Sequence, residues 1–66
     1  MITSLDVMVI IDLNTNTEMY INQMIELDTK TITYITRTED NTYKIHLINN
    51  HMLEITGNEL RKIQGW

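Results

Sequence analysis

The stretch 43–55 constrains this chain more than any other, because its alternation admits one hairpin register. With a three-residue loop at Asn49, Asn50 and His51, Leu47 faces Leu53 and Ile45 faces Ile55. The other face then carries Lys44, His46 and Ile48 opposite Thr56, Glu54 and Met52. A slip of one residue would turn Lys44 and His46 onto the apolar side, so the pattern itself selects the pairing. The chain therefore reads as a small antiparallel β protein.

Its 66 residues make one domain over 1–66 with a thin core, since a chain this short buries only about 60% of its unfolded surface. Small domains are commonly stapled by disulfides, metal or oligomerisation. The absence of cysteine removes disulfides and thiolate zinc sites together. His46 and His51 need converging carboxylates to hold a metal, so no metal or cofactor is expected. Self-association is the staple left.

The chain has no proline, alanine or phenylalanine and only two glycines, while isoleucine, threonine and asparagine abound. The β-branched residues among these favour strand. The bias also fits codon usage in an AT-rich genome, such as that of a low-GC bacterium or one of its phages.

The net charge of −4 is unevenly placed. Residues 1–28 hold Asp6, Asp12, Glu18, Glu26 and Asp28 without a base, giving −5, whereas residues 29–66 sum to +1. An acidic first half and the lack of any basic cluster disfavour non-specific phosphate binding. The longest apolar run, residues 7–11, is far short of the roughly 20 residues that span a bilayer. No basic segment leads into an apolar one, so no signal peptide is expected. A cytoplasmic address follows as the default.

Along the chain, Leu5, Val7, Val9, Ile11 and Leu13 alternate with Asp6, Met8, Ile10 and Asp12, which predicts a strand. Residues 14–17 read as a turn. Residues 18–27 fit both strand and helix periods; a strand over 18–22 followed by a bend is the preferred reading. A threonine-rich strand over 31–38 turns at Glu39, Asp40 and Asn41 and returns over 42–48, in a register the pattern leaves open. Thr56 and Glu59 have capping-box spacing ahead of Leu60 and Ile63, which predicts a helix of about two turns ending near Gly65.

No catalytic set emerges. His46 opposite Glu54, with Lys44 beside them, reads as a solvent-facing cross-strand charge pair rather than an acid–base couple. Ser4 is the sole serine, and no glycine-rich phosphate loop exists. Asp12, Asn14 and Asn16 resemble the opening of a calcium loop, but Thr17 and Gln23 stand where it needs glycine and glutamate. Tyr34 and Tyr43 lack the basic stripe of a base-stacking sheet.

The apolar surplus points elsewhere. Met8, Ile10, Ile48 and Met52 fall on strand faces that the primary core does not need, and Trp66 adds an aromatic anchor. Methionine and tryptophan are favoured at interfaces. These five residues are the candidate interface.

Ile32, Tyr34 and Ile35, then Ile45, Leu47, Asn49 and Asn50, then Ile55, form a hydrophobic pattern that resembles LytTR-type DNA-binding domains and small flagellar FlbD-like proteins. Glu18 to Asn22 resembles the first strand of the latter. Asn50 replaces the usual turn glycine, and the spacing from Asn22 to Ile32 is longer than the family pattern. The resemblance implies a β topology and a regulatory role. A DNA-binding reading would use Arg37, Lys44, Arg61 and Lys62.

The expected fold is mainly β: a small antiparallel sheet of four or five strands with a short C-terminal helix or turn. The expected function is a non-enzymatic protein-interaction or regulatory accessory module, partnered by itself or another protein. The alternatives are a nucleic-acid-binding regulator and an acidic inhibitor that mimics nucleic acid through its −5 half.

Overall fold

The computed structural model describes residues 1–39 and 41–63. Among them, five strands form one antiparallel sheet: β1 (Ile2–Asp12), β2 (Thr17–Asp28), β3 (Ile32–Arg37), β4 (Thr42–Leu47) and β5 (His51–Thr56). The spatial order is β2-β1-β5-β4-β3. A short helix, α1 (Gly57–Leu60), continues into a 3-10 turn over Arg61–Ile63. The mainly β expectation is met, with five strands.

The β4–β5 hairpin keeps the expected faces but not the expected register. Ile45 lies opposite Leu53, Tyr43 opposite Ile55, and Lys44 opposite Glu54. The shift is two residues, which leaves every side chain on its own face. The loop is accordingly Ile48, Asn49 and Asn50, with Asn50 at φ 64°. Three-residue hairpin loops place a left-handed residue at that last position, and asparagine tolerates it.

Residues 18–27 form neither a helix nor a strand with a bend. They belong to β2, which pairs with β1 throughout. One β1 residue, Met8, stands between Val7 and Val9, whereas Ile21 and Asn22 stand between their partners Tyr20 and Gln23. This is a bulge, and Asn22 adopts φ 45° within it. Past the bulge Ile10 lies opposite Leu53 and packs against the core, while Val9 lies opposite Glu54. Leu5, Val7 and Val9 are all buried, so the expected alternation holds through Val9, and beyond it Ile10, Ile11 and Asp12 are all half-buried.

A second irregularity settles the β3–β4 register. Ile32 pairs with Leu47 but Tyr34 with His46, so Thr33 is the extra residue. The shift lets both Ile32 and Ile35 reach the core and leaves Tyr34 outside. Thr33 Oγ1 donates to the His46 carbonyl at 2.9 Å.

The core comprises Leu5, Val7, Leu27, Ile32, Ile45, Leu53, Ile55 and Ile63. Full burial of such a side chain contributes about 1.5–3 kcal/mol. Ile63 shows why the C-terminal turn docks. The capping box expected there does not form, because the Thr56 side chain makes no cap hydrogen bond. Glu59 instead accepts from the Asp6 backbone N–H at 2.8 Å and from Lys62 Nζ at 2.8 Å, tying the turn to β1. Gly65 and Trp66 lie outside the described residues.

Candidate functional site

Pairing across the sheet builds a second face from two rows of side chains. One row runs Tyr20, Val9, Glu54, Lys44, Thr36; the other runs Glu18, Ile11, Met52, His46, Tyr34. Val9 is only 4% exposed although it stands outside the core cluster. Val9, Ile11 and Met52 form an apolar patch on this face, with Glu54, Lys44 and the aromatic residues around it.

At one end Tyr34 stacks on His46, with ring centroids 4.0 Å apart and planes 11° from parallel. Thr36 Oγ1 lies 3.0 Å from His46 Nε2. Burial, and then the Lys44 charge, hold the His46 pKa below its usual value of 6.5. The ring is a neutral stacking partner near pH 7. It lies opposite Met52, so the expected His46–Glu54 pair is not made; Lys44 takes that position instead.

Beside the stack, a groove of about 290 Å3 is lined by Leu13, Tyr34, His46, Ile48, His51 and Met52, among others. Two loops close its end. Leu13 N–H donates to the Asn50 carbonyl at 2.9 Å. Asn14 Nδ2 donates to the Asn49 carbonyl, and Asn50 Nδ2 to Asn14 Oδ1, each at 3.2 Å. His51 Nε2 stands 3.5 Å from Asp12 Oδ2. A second hollow, about 380 Å3 and polar, lies over Lys44 and Glu54 between Thr38, Glu39 and Thr42.

The fold sorts the expected interface residues unevenly. Ile48 and Met52 meet at the groove, with Ile48 66% exposed. Met8 is half-buried at the β1–β2 bulge. Ile10 is a correction: the register shift turns it to the core, so it is no spare surface residue. Trp66 lies outside the described residues. Sequence reasoning missed Leu13 and Tyr34 in the groove, and Met19, Tyr20 and Met24, which β2 holds exposed. Because residues 18–27 fit both strand and helix periods, their pattern does not say which of these three side chains face outward.

The four expected nucleic-acid residues fall on three elements, with Arg61 and Lys62 adjacent in the C-terminal turn. Lys44 faces Glu54 in the ladder, Lys62 pairs with Glu59, Arg37 ends β3, and Arg61 opens the C-terminal turn. Among the described residues no group of three or more His, Asp and Glu side chains converges as a metal site. Among the described residues no helix is long and apolar enough to cross a membrane.

The fold and its surfaces define a small five-stranded antiparallel β module with apolar residues on its second face and edges. No family model matches the chain, and no similar protein was found among curated proteins or solved structures.

Proposed function

We propose that this protein is a non-enzymatic interaction module that associates with itself and acts as an accessory or regulatory factor. The carrying observation is the apolar surface left over once the core is closed. Met19 at 65%, Tyr20 at 72%, Tyr34 at 54% and Ile48 at 66% remain exposed on a 66-residue chain. Of the exposed residues, Tyr34 and Ile48 line one groove with Leu13 and Met52, and a contiguous apolar patch on a small protein marks an interaction site. The groove residues are suited to apolar contact and stacking.

Changing Ile48 or Met52 to Lys tests the reading. Reduced mass in solution, with an unchanged circular dichroism spectrum, is the expected result. If these variants and charged variants at Met8 and Trp66 all keep the parent mass and binding behaviour, the reading fails.

A further inference from the structure

The two outermost strands of the sheet, β2 and β3, have no ladder partner on their outer sides among the described residues. Every neighbouring pair in the sheet is antiparallel, so β2 and β3 point the same way across it. Closing the sheet on itself would require a parallel β2–β3 ladder. Parallel neighbours need a connection of roughly a dozen residues or more, yet only Thr29–Thr31 joins these strands. The chain cannot seal its own edges.

The edges differ in charge. β2 carries Glu18, Glu26 and Asp28 with no Lys or Arg, whereas Lys30 and Arg37 bracket β3 with no acid between them. Pairing β2 with β2 would set acids against acids, and pairing β3 with β3 would set bases against bases. Like charges across a strand pair are destabilising. Only β2 against β3 brings opposite charges together. The bulge at Asn22 leaves Gln23–Asp28 as an uninterrupted six-residue stretch, equal in length to β3. Met24 and Tyr34, both more than half exposed, lie within these two stretches.

From this we infer that a second copy of the chain adds its β3 edge to the β2 edge of the first, a head-to-tail strand addition. Main-chain hydrogen bonds supply the affinity and the charges choose the partner edge. Such a contact is heterologous, so it propagates until a ring closes or a filament grows. The inference rests on the self-association proposed above and adds an edge contact to the one at the groove.

The test uses two full-length chains, one with Glu18→Lys and Glu26→Lys, the other with Lys30→Glu and Arg37→Glu. Mass is measured for each alone and for an equimolar mixture, with circular dichroism confirming the fold. Each alone should associate about tenfold more weakly than the parent, and the mixture should recover the parent mass. Should either variant fail to fold, the parent in rising salt decides: weaker association supports the contact, and salt-independent mass overturns it. If both variants associate as the parent does, self-association stands and this contact is wrong. If the parent is monomeric at every concentration, both proposals fall.

Discussion

The two sides of the sheet are built from the same residue types and differ in what encloses them. Ile45, Ile55 and Leu53 are sealed between strands and the docked C-terminal turn, while Ile48, Tyr34 and Tyr20 stand more than half exposed. Apolar pattern alone does not separate these groups. Ile48 lies three residues from Ile45 in the same hairpin, and the turn alone decides that one enters the core and the other ends in a loop. The comparison teaches that this chain carries more apolar side chains than its single thin core can absorb.

The largest effects should come from cutting the inner side. Ile45→Ala or Ile55→Ala should cost about 3 kcal/mol in urea denaturation, a large share of the stability of so small a domain. Ile48→Ala should stay within about 0.5 kcal/mol. Equal losses at Ile45 and Ile48 would erase the distinction between the sides.

Glu59→Ala should cost about 2 kcal/mol in the same measurement, because it removes the acceptor of the Asp6 N–H and Lys62 bonds that hold Ile63 in place. Those bonds hold the Glu59 carboxyl below its ordinary pKa. Their contribution is therefore present above the unfolded carboxyl pKa and is lost as pH falls through the lower folded value.

Asn50→Ala should cost about 1 kcal/mol and Asn50→Gly much less, since the residue sits at φ 64°. Thermal melts of the two variants compare them directly. A loss as large for glycine as for alanine would place the role of Asn50 in its side-chain bond to Asn14 instead.

The smallest effect belongs to His46 on the outer face. Its folded pKa is lowered, so the unfolded chain takes up the proton first and stability declines as pH falls below about 6.5. His46→Gln should flatten that part of the stability profile. A profile unchanged by the substitution would separate the decline from His46.

The faces of the 43–55 hairpin were legible because Lys44 and His46 tolerate only one side. Its exact loop was not, since a two-residue shift preserves every face and costs no hydrophobic match. The irregularities at Asn22 and Thr33 were hidden for a related reason. A bulge changes the period without changing composition, so Ile10 read as surface and β2 read as broken. Glu59 was recognised as significant three residues after Thr56, but its partner proved to be the distant Asp6 N–H, which local spacing cannot reveal. That Ile48 and Met52 stand outside the core is legible from the hairpin faces. Leu13 and Tyr34 join them only through tertiary placement of the loops.

Absolute mass by light scattering on a sizing column, over a wide concentration range, tests the central claim most directly. The account predicts a mass above the 7.8 kDa of one chain that rises with concentration or is already saturated. A mass of one chain at every concentration would contradict it.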